Sequence, residues 1–202
     1  MRDIYKIGNA QTAGSCYFQS NYFSVGNRNR NCVFAVLADG SIDHINGRRC
    51  AVLAVEACVQ KFYSRPEEGV TGFFDYIAEY ILKEIRRFIY IGKVPALSLS
   101  LLFIKDKELF YYTVGNNRLF IYDGRNYKIL EERSGQAGFG RRMTAGMFSN
   151  GAWEALKEKE VISYLEKKQH PFDKAQQMLK GIMEKNSKET GNATIILVEG
   201  AL

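Results

Sequence analysis

The feature that most limits this chain is an unbroken apolar run, Cys32-Val-Phe-Ala-Val-Leu-Ala38, which stops at Asp39-Gly40. The run has the length of a strand, and a strand with no polar position suits the centre of a sheet. The Asp-Gly pair that follows is a turn signal. Before the run, residues 4–6 read as a short strand and residues 17–25 as an aromatic-rich one, with Phe23 and Val25 on one face. After it, residues 47–63 read as a helix, because Ala51, Ala54, Val55, Cys58, Val59 and Phe62 recur at helical spacing. A second helix is expected over residues 71–90, with Phe74, Ile77, Ala78, Ile81, Ile85 and Phe88 on one stripe. Strands then follow closely at residues 96–104, 109–114, 118–122 and 127–130. Short polar or glycine-containing turns separate them, and they read as an antiparallel meander. Residues 134–140 are glycine-rich and read as a loop. Its glycines and Arg141-Arg142 look like a phosphate cradle, but the Gly-Lys-[Ser/Thr] ending is missing, so a connector is expected. A strand at 143–148, helices at 152–168 and 171–185, and a last strand at 193–198 complete the pattern.

Hairpins without βαβ alternation exclude a Rossmann fold or a barrel. The order predicts an α+β chain: two antiparallel sheets packed face to face, with helices on both outer surfaces. The 202 residues suffice for one domain, expected over 1–202. No stretch nears the roughly 20 apolar residues of a membrane span, and the N-terminus lacks a signal-peptide run. Cys16, Cys32, Cys50 and Cys58 have no C-x-x-C spacing, so reduced and mostly buried thiols in a cytoplasmic chain are expected. The net charge of +6 invites a nucleic-acid partner. However, the basic residues are scattered through the sequence (Arg28 and Arg30, Arg48 and Arg49, Arg86 and Arg87, Arg141 and Arg142, Lys167 and Lys168), and no recognition motif accompanies them. A solvated surface is the expectation. There are 7 Asp against 15 Glu and 12 Asn, and scarce Asp disfavours a carboxylate-rich metal site.

The string Ala38-Asp39-Gly40-Ser41-Ile42-Asp43-His44-Ile45-Asn46-Gly47 resembles the A-D-G-M-G-G-H-x-x-G segment of the metal-dependent serine/threonine phosphatases of type 2C. Asp39, Gly40, His44 and Gly47 match at that spacing. Four more segments are similar to the family's and occur in its order. Gln19-Ser20-Asn21-Tyr22-Phe23 resembles N-[EQ]-D-x-[FY], and Val114-Gly115-Asn116-Asn117-Arg118 resembles V-G-D-S-R. Phe148-Ser149-Asn150-Gly151 resembles the S-D-G segment, and Gly191-Asn192-Ala193-Thr194 resembles D-N-[IA]-T. The resemblance implies a four-layer α-β-β-α sandwich. It also implies a phosphoserine/phosphothreonine hydrolase in which two Mg²⁺ or Mn²⁺ ions between the sheets hold the attacking water.

The family's carboxylate positions are mostly neutral here: Asn21, Asn116, Asn150 and Gly191 stand at four of them, and Asp39 alone keeps its charge. The family's phosphate-binding arginine falls at about Cys16. Two dications need offsetting negative charge, so the resemblance implies a catalytically impaired pseudophosphatase. It would be a binding or regulatory module for a phosphoprotein, a kinase or another regulatory protein, with no nucleic acid, membrane or resident cofactor. The alternative is a divergent active phosphatase that uses Mn²⁺ or Mg²⁺ on Asp39, Gly40 and Asp43, with His44 nearby and Asp39 as the catalytic residue. Whether the chain is an enzyme is left open by the residues. Asn192-Ala193-Thr194 also spells a glycosylation sequon, at a predicted strand.

Overall fold

A computed structural model describes residues 4–40, 45–64, 70–86, 97–186 and 190–201. In chain order, the described residues form β1 (Tyr5–Thr12), β2 (Asn21–Asn29), β3 (Cys32–Gly40), α1 (Ile45–Ser64) and α2 (Val70–Ile85). Next come β4 (Leu97–Lys105), β5 (Glu108–Val114), β6 (Arg118–Tyr122), β7 (Tyr127–Ile129), β8 (Ser134–Gly138) and β9 (Thr144–Phe148). Helices α3 (Asn150–Ala155), α4 (Glu158–Leu165) and α5 (Pro171–Asn186) precede the last strand, β10 (Ala193–Gly200). One sheet has the order β1-β10-β9-β6-β7 and the other β2-β3-β4-β5-β8. Every pairing is antiparallel.

The unbroken apolar run is explained by β3, which is covered on both faces. Cys32, Phe34, Val36 and Ala38 pack under α1 and α2. Val33, Ala35 and Leu37 alternate with them and enter the core between the sheets. A third core, which includes Phe120, Phe148 and Ile195, lies between the other sheet and α3 to α5. The layers are therefore helix, sheet, sheet, helix, as expected. Cys32, Cys50 and Cys58 are buried, Cys16 is half-buried, and all four are free thiols. Among the described residues, no helix is long and apolar enough to cross a membrane.

Four expectations are corrected. Residues 17–20 are not strand; β2 starts at Asn21, because the preceding segment is held by side-chain bonds instead of a strand ladder: Gln19 Nε2 donates to the Thr12 carbonyl at the end of β1, and the Phe18 carbonyl accepts from Asn192 Nδ2. The predicted meander breaks after β5. Strand β6 pairs with β7 and β9 in the opposite sheet, and β5 takes β8 as its other neighbour. The glycine-rich segment is thus an edge strand. Gly135 lies against Tyr111, and a Cβ there would come 2.5 Å from the Tyr111 hydroxyl, so glycine permits the pairing. The helix expected at 152–168 is two helices, separated at Leu156, which is extended (φ −115°). The second predicted helix is seen as α2, and residues 87–96 lie outside the described ones.

Candidate functional site

Strand parity decides what faces the space between the sheets. Val33, Ala35 and Leu37 point inward, so Asp39, two residues further on, shares their face. In register, Asn21 and Ser98 stand opposite Asp39, one on each neighbouring strand. On the facing sheet, Leu119 and Ile196 point inward, which places Asn117 and Thr194 on the inner face as well. The motif segments therefore meet at one end of the sandwich, where β2, β4, β6 and β10 begin and β3 and β9 end.

The bonding at this end is mostly between neutral groups. Asn21 is fully buried, and its Nδ2 donates to Thr194 Oγ1 (3.1 Å) and to the Asn192 carbonyl (3.3 Å). Asn117 is buried too, and its Nδ2 donates to the Leu37 carbonyl (3.4 Å). The Oδ1 atoms of both asparagines are buried without a partner. Asp39 Oδ2 accepts the Asn150 backbone N–H (3.3 Å). Burial is the dominant influence on the Asp39 carboxyl and pushes its pKa from 3.8 to about 6, with the Asn150 bond opposing. The Asn150 side chain turns along its own helix and donates to Glu154 Oε1 (3.0 Å). Asn116 is exposed, and its backbone N–H donates to Ser98 Oγ (2.9 Å). Gly40 packs against Gly47 so closely that a Cβ would lie 2.2 Å from the Gly47 carbonyl oxygen; only glycine allows α1 to start there. Gly191 lies half-buried beside Gly151. Asp43 and His44 lie outside the described residues.

Asn192 links the parts of this end together. Its Oδ1 accepts from the Ser20 backbone N–H and from Ser20 Oγ (3.0 Å), and its Nδ2 donates to the carbonyls of Phe18 (3.2 Å) and Ala13 (3.4 Å). Its carbonyl also accepts from Ser149 Oγ (3.2 Å). An amide buried and engaged in this way cannot carry a glycan, which removes the sequon. A third contributor is Arg48 of α1, which donates to the Asn21 carbonyl and stacks its guanidinium on Tyr22 (4.8 Å). The reading of the sequence missed Asn117, Asn192 and Arg48 as members of this end. Asn117 was detectable, because it keeps the inward parity of Leu119 and Ile121, and Asn192 stands in the motif segment 191–194; nothing local marked Arg48.

The described residues do not fit a two-metal centre. Among them, no group of three or more His, Cys, Asp or Glu side chains is placed to hold an ion. Among the described residues that face inward here, Asp39 brings a carboxylate while Asn21 and Asn117 bring neutral amides, which leaves the charge of two dications unbalanced.

No family model and no curated protein matches this chain in sequence. Solved structures do match in shape. The serine/threonine phosphatase of S. agalactiae is 15% identical, with a TM-score of 0.82 over 96% of this chain and 99% of that one. The catalytic domain of the serine/threonine phosphatase PstP, solved in complex with 2 manganese ions, is 11% identical, with a TM-score of 0.86 over 98% of this chain and 99% of its own. PppA, a key regulatory component of T6SS in Pseudomonas aeruginosa, is 13% identical, with a TM-score of 0.80 over 98% of both chains. The chain has the type 2C serine/threonine phosphatase fold.

Proposed function

We propose that this chain is a single type 2C phosphatase-like domain working as a pseudophosphatase. It is a cytoplasmic module that recognises a phosphoprotein, a kinase or another regulatory protein through the cleft and does not hydrolyse phosphate esters. One observation carries this reading. Asp39 faces Asn21 across β2 and β3, and its carboxylate is taken up by the Asn150 N–H, so two positions that the resemblance assigns to metal-binding carboxylates offer amide groups instead. An Asp-to-Asn exchange keeps the shape and one oxygen but removes a full charge, and cation desolvation is then uncompensated. The family chemistry, when two ions are bound, is activation of a water by metal. The residues described here do other work: Asp39 anchors the start of α3, and Asn21 ties β2 to β10.

The test is calorimetric titration with Mn²⁺, paired with an aryl-phosphate hydrolysis assay. No saturable Mn²⁺ heat and no turnover are expected. Metal-dependent turnover that disappears in Asp39→Ala would overturn the reading and establish a divergent phosphatase using Mn²⁺ or Mg²⁺. A combined Asn21→Asp, Asn150→Asp and Gly191→Asp variant is expected to gain Mn²⁺ binding. If the folded variant stays silent, charge loss is not the main defect.

A further inference from the structure

Three pairs of cations that are distant in sequence meet at the end of the sandwich opposite Asp39. Arg28 and Arg30 close the β2–β3 hairpin, Lys105 and Lys107 close the β4–β5 hairpin, and Arg141 and Arg142 lie in the turn from β8 to β9. Cys32 pairs with Lys105, which sets the first two hairpins side by side. The Lys107 carbonyl accepts the Phe139 N–H (2.7 Å), its own N–H donates to the Tyr5 hydroxyl (3.4 Å), and the Arg142 N–H donates to the Gly200 carbonyl (2.9 Å). All six except the half-buried Arg28 are exposed. Among the described residues, none of the six is in an ion pair, although Asp106 and Glu108 share the second hairpin.

Between the first two hairpins is a concavity of about 300 Å³ lined by Asn29, Arg30, Asn31, Lys105 and Asp106. Its rim is prearranged. Asn29 Oδ1 accepts the Asn31 N–H (2.9 Å), Asn31 Nδ2 reaches Asp106 Oδ1 (3.4 Å), and Asp106 and Lys107 hold φ of 51° and 69° in the tight turn. Asp106 is the acidic wall, and the Asn31 amide blunts it. Arg28 lies over the Phe62 ring (4.6 Å), with Nη2 buried and lacking an acceptor.

We propose that this end docks a phosphorylated protein segment, with the phosphate monoester between Arg30 and Lys105 and acidic neighbours over Lys107, Arg141 and Arg142. An arginine beside a lysine in a concavity matches a compact dianion through charge-assisted hydrogen bonds. The rings beneath these turns, Tyr5 and Phe139, are buried and offer no face on which a base could stack, which favours a phosphoprotein over a nucleic acid. The site lies away from the cleft, so either outcome of the Mn²⁺ titration leaves it standing.

The experiment is fluorescence anisotropy on the full chain with three labelled probes of equal length: an acidic phosphoserine peptide, its unphosphorylated form and a single-stranded DNA. The phosphopeptide is expected to bind in a salt-sensitive way and to exceed the unphosphorylated form by about tenfold. Arg30→Glu with Lys105→Glu is expected to weaken it by about tenfold or more, and Lys159→Glu with Lys168→Glu, on the helical face, to change it by less than about twofold. Circular dichroism of both variants checks that folding is retained, and an Arg30→Gln, Lys105→Gln variant replaces the first if it is not. Absence of phosphopeptide binding, equal binding of the two peptides, equal loss in both variants, or tighter binding of the DNA would each overturn the proposal.

Discussion

Asn192 and Arg30 sit at opposite ends of one sandwich and are held in opposite ways. Asn192 is buried, and both atoms of its amide, together with its carbonyl, are engaged by Ser20, Ala13, Phe18, Asn21 and Ser149. Arg30 is exposed beside a concavity. At the first end, polarity has been turned inward and spent on joining segments, and the charged groups Asp39 and Arg48 there bond backbone. At the second, charge is displayed to solvent. The stability of the chain should therefore depend on the cleft end, and association with anions on the turn end.

The largest expected effect is Asn192→Ala. It leaves groups of Ala13, Phe18 and Ser20, all in the connection from β1 to β2, without their partner and should lower unfolding stability by ~3 kcal/mol or more in urea titration. A loss below ~1 kcal/mol would mean that water replaces the amide and that the two ends differ less than their bonding suggests.

Next is Asp39→Asn, with the opposite sign. The folded pKa of Asp39, about 6, lies above its ordinary 3.8, so the folded state holds the proton more tightly than the unfolded one. Stability falls as pH rises through this window, and the penalty is complete above it. The substitution should stabilise the chain by ~2–3 kcal/mol at pH above 7 and by close to nothing near pH 3. A gain that does not depend on pH would place its source elsewhere.

The smallest effect is at the other end: Arg30→Glu with Lys105→Glu should move the unfolding free energy by no more than ~0.5 kcal/mol, because exposed charges are screened. A larger loss would show that the turns are structural and would erase the contrast.

Much of the architecture was legible because its causes are local. The Cys32-to-Ala38 run, the helical stripe of α1 and the turn at Asp106-Lys107 each depend on near neighbours, and all three were found. Strand β8 was missed because Ser134–Gly138 has neither bulk nor β-branching; its strand character comes from pairing with β5. The crossing of β6 to the other sheet was missed for a similar reason: the turn at 115–117 reads the same whether the chain doubles back or changes layer. For the candidate site, residue types carried the main point. Asn21, Asn116, Asn150 and Gly191 stand at positions where the resemblance calls for carboxylates, and the residue types alone show it. That Asn117 rather than Asn116 turns inward was not drawn from the residues alone, and neither was the use of Asn192 as a crosslink.

Chain order and residue type alone thus determined the layer count and the loss of charge at the cleft, since both follow from local periodicity and from which side chains can ionise. Only tertiary packing decided where the remaining charge gathers. Arg28, Lys105 and Arg141 are far apart along the chain; two hairpins return the backbone at one end, and the crossing from β8 to β9 passes between the sheets at that same end. The same closure turned Asn192 inward, where burial without a hydrogen-bond partner would be costly and both atoms of its side-chain amide are drawn into bonds.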